Sequence, residues 1–445
     1  MYLEDQGLAK KGMGFLIRKS FYMLWGTQTV SNIADIVYTL SLVTLVFTES
    51  GSLLTTIFIP LFRMLSKMIS GLIAPLVMSR SRLTSILIGS QLGQFLIFTG
   101  LIFYLWTSVE PSYPIIFMAV FGMSFLDGWT DPARNALIPR LATGDGLMRA
   151  NGLMSVSDQI VKCSGWALSG VIVAVIGAIP TMWIASVSYF LAMFFTAFIR
   201  DPYAAGLKQA HSAASTASGA EGETRKPTYG QQLAEGWKIL ATNRRIRTLA
   251  IVDNIDTLGG AAWLGAFILA FVVQVLHQDA SWWGFMNTVF FIGSIAGGVF
   301  IVARVKKLQK NAYLLMLLSL LAYVIITFFF AFNTIPMLAL ILFAVSGLPV
   351  QIAGIIRRTL IQQNLTPEET PSAMSALSVL SNFTFAIAML LLGWIADRFG
   401  MRDMYVVAGL MTTAAVVLGF AYRAVFREEV AGGYAAEENV VVNKA

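Results

Sequence analysis

Apolar stretches of twenty or so residues recur along this chain, separated by short polar punctuation. They run at roughly 20–47, 52–78, 83–106, 114–134, 154–177, 181–199, 248–275, 282–303, 311–332, 335–357, 374–396 and 403–423. A helix crossing a hydrocarbon core about 30 Å thick needs about 20 such residues. The pattern therefore predicts twelve transmembrane helices. Lipid offers the backbone no hydrogen-bond partner, so each crossing must be helical. Most connections are very short and require antiparallel neighbours. One differs: "DPYAAGLKQAHSAASTASGAEGETRKPTYG" is polar and rich in Ala, Ser and Gly, the composition of a flexible linker. It divides the chain six plus six. The expected domains are an N-terminal bundle over 1–200, a cytoplasmic linker over 201–247, and a C-terminal bundle with a short tail over 248–445. After the linker, "QQLAEGWKILATNRRIR" reads equally as a short interfacial helix or a solvated segment.

The two halves echo each other. "DPARNALIPRL" (131–141) ends the fourth run and "GIIRRTLIQQNL" (354–365) ends the tenth. Superposing Leu141 on Leu365 puts Arg134 on Arg358 and Asn151 on Ser375. "GVIVAVIG" (170–177) likewise matches "GWIADRFG" (393–400), with glycines seven apart in each. Repeated six-helix halves are a transporter construction, with the substrate site between them near the midplane.

Composition agrees with a polytopic, all-α membrane protein. Hydrophobic residues are 57% of the chain and charged residues 12%, against about 25% charged in soluble domains. Putting the N-terminus in the cytoplasm leaves only Arg398 and Arg402 outside. Inside then fall Lys10, Lys11, Arg18, Lys19, Arg80, Arg82, Arg134, Arg140, Arg149, the linker and the basic clusters at 304–310 and 357–358. The bias of Lys and Arg to the cytoplasmic loops sets this orientation. The net charge of +7 is thus a topological signature and calls for no nucleic-acid partner.

Enzyme chemistry lacks its parts. The lone Cys163 excludes a disulfide framework and a multi-cysteine metal site. His211 and His277 fall in the linker and an outer loop, so no midplane histidine serves as base or ligand. No GxxxxGK[ST] loop binds ATP. The first apolar run is too long for a signal-peptide core. No cofactor is expected, and a proton or ion gradient is the energy source that remains.

Charges inside the apolar runs are then the candidate chemistry. Asp35 lies near the middle of the first run, where a charge costs at least about 2.5–3.5 kcal/mol. Either it is a proton or substrate site, with Asn32 near it, or it forms a structural bridge to Arg63 or Lys67; among the aromatic residues, Tyr38 is a candidate to line an amphiphile pocket. Those two bases stand at i and i+4 on the second run and share one helix face. Asp127 has the same two readings, with Lys162 as its expected partner and Asp158 competing for that lysine. Asp253, Asn254 and Asp256 fall in the first turns of the seventh run, as gate or as binding site. "GSIAGG" (293–298) fits close helix packing. A buried carboxylate that carries a proton for part of the time would make Asp35 tolerable and couple proton flow to transport.

Two segments carry a family resemblance: "SNIADIVYTLSL" in the first run and "DPARNALIPRLATGDGLMRANGLMS" after the fourth. With them the chain resembles the major facilitator superfamily, and within it the branch of macrolide-efflux and enterobactin-type siderophore exporters. The matching positions are Asn32 and Asp35, then Pro132, Ala133, Arg134, Pro139, Ala150 and Asn151. The chain departs from the superfamily in the loop after helix two, where "PLVMSRSRL" has Ser79 for the usual aspartate and keeps Arg80. The second-half loop has Ala303 there and keeps Arg304. A full match, "GWIADRFGMR", lies at 393–402, on the outside, and reads as a turn with Asp397 paired to Arg398 or Arg402. The resemblance implies two pseudo-symmetric six-helix bundles that export an amphiphilic small molecule, drug-like or a siderophore or metallophore, by proton antiport. It implies a monomer in a bacterial-type cytoplasmic membrane, both termini inside, with its substrate and the lipid bilayer as partners. Arg80, Arg134, Asp253, Asp256 and Arg358 would form the cytoplasmic gate, a helix-seven acid pairing with a first-half base when the cavity faces out. The missing loop acids leave a second reading: a sensor that uses the fold without transport.

Overall fold

The structure, a computed structural model, describes residues 16–50, 53–201, 229–263, 265–279 and 281–426. All twelve apolar runs are helical within those bounds. The first three are α1 (Lys19–Ser50), α2 (Leu53–Arg80) and α3 (Leu83–Thr107). The fourth is two helices, α4 (Tyr113–Asp127) and α5 (Thr130–Leu141), broken at Gly128 and Trp129. At the break a Cβ on Gly128 would strike the Ser70 side chain of α2, so only glycine allows the helices to come this close. Next come α6 (Asp145–Ile176) and α7 (Ala178–Thr196). The segment after the linker is helical, α8 (Tyr229–Thr242), while most of the linker itself lies outside the described residues.

The seventh run is also broken, into α9 (Arg244–Gly260), a 3₁₀ turn (Ala261–Trp263) and α10 (Gly265–Gln274). Asn243 starts α9 by accepting hydrogen bonds from the backbone N–H groups of Arg245 (3.1 Å) and Ile246 (3.2 Å), the usual role of an N-cap asparagine. The helix thus begins earlier than the apolar pattern suggested. Asp253 and Asp256 consequently lie in mid-helix rather than in its first turns. The remaining helices are α11 (Ser281–Leu308), α12 (Ala312–Phe332), α13 (Pro336–Gln363), α14 (Glu369–Phe399) and α15 (Met401–Ala421). A capping box opens α14: Thr366 N–H donates to Glu369 Oε2 (3.0 Å) and Glu369 N–H to Thr366 Oγ1 (3.3 Å).

Among the described residues, eight stretches are long and apolar enough to cross a membrane, and a ninth is added if α9 and α10, bent by 44°, make one crossing. One of the eight, Trp282–Phe332, spans 51 residues and contains both α11 and α12. At about 1.5 Å per residue it is more than twice a single crossing, and a 3₁₀ turn at Gln309–Asn311 divides it. The fourth run escapes that count because its break leaves helices of 15 and 12 residues.

Contacts group the chain into two units, Met1–Trp237 with Leu365–Val379, and Lys238–Asn364 with Leu380–Ala445. The same pairings recur in each. In unit 1, α1 and α3 pack on α7, and α4 packs on α2 and α3. In unit 2, α9 and α12 pack on α15, and α13 packs on α11 and α12. The repeated glycines take the same backbone shape: Gly177 (φ 87°, ψ 168°) and Gly400 (φ 96°, ψ 168°) each start the last helix of their half. That region of the map is open essentially to glycine alone. No ion pair joins Asp397 to Arg398 or Arg402 among the described residues; Asp397 is exposed and the glycine makes the turn.

Small and hydroxyl residues set the close helix contacts, as expected where lipid supplies no hydrophobic drive between helices. Ser66 and Ser70 of α2 donate to the carbonyls of Phe121 (2.6 Å) and Phe125 (2.5 Å) on α4. In unit 2, an added Cβ on Gly293 of α11 would meet the Ala344 carbonyl of α13, and one on Gly297 would lie 2.6 Å from the Leu348 carbonyl.

Candidate functional site

Four helix faces of unit 1 converge on a cavity of about 310 Å³. Helix α1 contributes Asn32, Asp35, Ile36 and Thr39, spaced as one face of a 3.6-residue helix. Helix α6 adds Asp158, Val161 and Lys162 by the same spacing, α5 adds Asp131 and Arg134, and α2 adds Arg63.

Two hydrogen-bonded chains line this space. In the first, Asn32 Nδ2 donates to Asp158 Oδ1 (2.7 Å). The other oxygen of Asp158 lies 3.7 Å from Arg134 Nη1, and Arg134 Nη2 lies 2.7 Å from Asp131 Oδ1. The Arg134 side chain is buried, whereas Asp131 is largely exposed. Arg134 is thus held inside unit 1 by two acids. Asn32 is tied to Asp158, the residue expected to compete for Lys162.

The second chain centres on Asp35. Tyr189 of α7 donates its hydroxyl proton to Asp35 Oδ1 (2.5 Å). Thr39 Oγ1 donates to the Asp35 carbonyl (2.5 Å) and accepts from Arg63 Nη1. The Arg63 guanidinium also sits 5.1 Å over the ring of Tyr38, a cation–π contact. Tyr38 itself does not line the cavity. It is buried in a triad with Phe98 and Tyr189, at centroid distances of 5.3 and 6.4 Å, and reaches the site through Arg63.

Neither expected bridge to Asp35 forms: no ion pair joins it to Arg63 or Lys67 among the described residues. Lys67 is taken by Asp127 instead, Nζ to Oδ2 2.5 Å. The expected partner Lys162 therefore does not hold Asp127. Sequence reasoning misjudged this pairing because it knew the depth of these residues but not the rotation of their helices. Tyr189 was missed altogether. Its one available signal was that a buried tyrosine hydroxyl needs a partner.

In unit 2 the gate candidates form their own cluster. Arg357 Nη1 lies 2.8 Å from Asp253 Oδ1 and 3.1 Å from Asp256 Oδ2. Ser381 donates to Asp253 (3.3 Å), and Thr384 to Asn254 (2.7 Å). Both acids thus share the neighbour of Arg358, which the repeat comparison had singled out. Arg358 is half-buried on α13. Arg80 ends α2, and its side chain lies outside the described residues.

The comparisons with known proteins point one way. Residues 20–348 and 257–440 match the Major Facilitator Superfamily. An uncharacterized MFS-type transporter of Bacillus subtilis (strain 168), YfmI, is 30% identical over 404 residues, 90% of this chain and 96% of that one. A second from the same organism, YjbB, is 23% identical over 405 residues, 90% and 94% of the two chains. Among solved structures, the E. coli fucose:proton symporter FucP superposes with a TM-score of 0.70 at 12% identity, over 90% of this chain and 97% of that one. A bacterial homologue of the iron transporter ferroportin, in its outward-facing state, gives 0.69 at 13%, over 91% and 100%. At such identities the solved structures speak for the fold alone. The full-length relatives and the match across both halves establish that the chain belongs to the Major Facilitator Superfamily, a family of membrane transporters rather than enzymes.

Proposed function

We propose that the protein is a secondary active exporter of an amphiphilic small molecule, driven by proton antiport, with Asp35 as the coupling carboxylate. One observation carries this reading. The acids Asp127, Asp131 and Asp158 each face a base within 4 Å, whereas Asp35 has a hydroxyl partner and no described ion pair. It can therefore take up and release a proton without first breaking an ion pair. It also lines a membrane-embedded cavity that a ligand can enter. Proton coupling is chemistry this fold carries in at least one solved protein, the fucose:proton symporter. Export rests on the likeness of Asn32, Asp35 and the segment from Pro132 to Asn151 to the efflux branch.

Charge balance bears on the substrate. Lining the cavity stand Asp35, Asp131 and Asp158 against Arg63, Arg134 and Lys162, three acids and three bases. With Asp35 ionised the set is neutral, and a proton makes it +1. In an antiporter the substrate replaces the proton, so an amphiphile with a basic amine restores the positive charge that the departing proton takes away. A macrolide-like or lipophilic cation fits this better than an anionic siderophore. Arg134 with its two acids in one half, Arg357 with Asp253 and Asp256 in the other, and the bases Arg80 and Arg358 are the groups that would rearrange as the gate opens.

Inside-out vesicles test the reading directly. A macrolide bearing an amine, a lipophilic cationic dye and a catecholate siderophore are offered with and without an acidic lumen. The amine-bearing compounds should accumulate with the gradient beyond the passive trapping seen in protein-free vesicles, and a protonophore should release them. Accumulation of none of the three would favour the sensor reading. Accumulation indifferent to the protonophore would remove proton antiport.

A further inference from the structure

A cavity of about 510 Å³ belongs to neither polar cluster above. It lies in unit 2, where the turn Gln309–Asn311, the start of α12, the end of α13 and the turn Arg423–Phe426 meet. We propose that it binds the headgroup of a membrane glycerophospholipid, one whose polar group carries an N–H or O–H donor.

Three features specify that ligand. The first is charge. Lys310 and Arg423 line the cavity, no acid does, and among the described residues neither base has an ion-pair partner. Two unneutralised cations in one concavity call for a phosphodiester. The second is an acceptor. Gln309 Oε1 is buried without a hydrogen-bond partner, and leaving such an atom unmet costs about 1–3 kcal/mol. A phosphate offers it nothing. An ethanolamine ammonium or a glycerol hydroxyl does, and a choline does not. The third is a track for chains. Leu314 on the cavity wall begins an exposed stripe on α12 that continues through Leu318, Leu321, Ile325 and Phe329. That spacing is one helix face. The stripe leads from the cavity along the membrane-facing side of a crossing helix, so the ligand is an amphiphile and not a soluble phosphate.

The cavity is also built rather than incidental. Tyr313 and Phe426 stack at 4.1 Å and 12°. The Tyr313 hydroxyl is fixed on the Gly419 carbonyl (2.9 Å). Arg245 pins two walls at once, donating to Asn364 Oδ1 (3.0 Å) and to the Val425 carbonyl (3.3 Å).

Native mass spectrometry of the purified protein in detergent tests this, with phosphatidylethanolamine, phosphatidylglycerol and phosphatidylcholine of identical chains. The ethanolamine and glycerol lipids should be retained several-fold better than the choline lipid. Lys310→Ser with Arg423→Ser should weaken retention of all three by about tenfold. Gln309→Leu should erase the headgroup preference and leave choline-lipid retention unchanged. Soluble glycerophosphoethanolamine should not displace bound lipid. Equal retention of the three lipids by the unmodified protein would overturn the assignment, whatever the variants do. So would a double variant that holds lipid as the parent does. Displacement by the soluble headgroup would assign the cavity to a water-soluble phosphate ester instead.

Discussion

Asp35 and Tyr189 form the contact on which the proposed chemistry turns, and only one of them could be read from the sequence. A carboxylate inside an apolar run stands out because burying it is expensive. Tyr189 is one aromatic among many, and only the fold brings it to α1 from α7. Tyr189→Phe keeps the ring and deletes the donor. A hydrogen bond to a charged group is worth about 1.5–3 kcal/mol, so gradient-driven transport should fall about tenfold or more, with a loss of folded stability of the same order. Tyr38→Phe, which leaves Asp35 with its donor, should transport as the parent does. The Lys67–Asp127 pair was half legible: both residues were flagged, but pairing depends on helix rotation, which apolar periodicity within lipid fixes poorly. Lys67→Met should lower stability by about 1–2 kcal/mol, the partly exposed lysine making the loss smaller than for a fully buried pair. Adding Asp127→Asn should recover most of it, as a double-mutant cycle in detergent melts would show.

Elements were the most legible scale. Runs of apolar residues mark helices in lipid because the backbone has no alternative, and the repeat of the two halves, with its matching glycines, follows from spacing. The breaks were not legible. α4 parts from α5 at Gly128 and Trp129, and α9 from α10 after the 3₁₀ turn Ala261–Trp263, although the apolar pattern runs on through both. The small-residue stretch of α11 did announce close packing, and the structure supplies its partner, α13. Gly293→Ala would force a methyl into the Ala344 carbonyl and should cost roughly 1–3 kcal/mol. Gly354→Ala, with nothing within 4 Å of the added carbon, should be neutral or slightly stabilising, since alanine favours helix over glycine. Thermal unfolding of the two variants side by side separates a packing requirement from mere glycine content.

For the whole molecule, family membership establishes a membrane transporter, and the basic-residue bias predicts cytoplasmic termini. In a Cys163→Ser background, an impermeant thiol reagent applied to intact cells should label Ser112→Cys and spare Ser81→Cys; the reverse pattern would invert the topology. What drives transport returns to the first helix. Asp35→Asn preserves shape and removes the titratable proton. Reconstituted with whichever compound accumulates in vesicles, it should still exchange labelled for unlabelled substrate across the membrane at equal pH. It should no longer accumulate that compound when a pH gradient is imposed. Accumulation by Asp35→Asn at the parent rate, under the same gradient, would contradict the assignment of Asp35 as the coupling carboxylate.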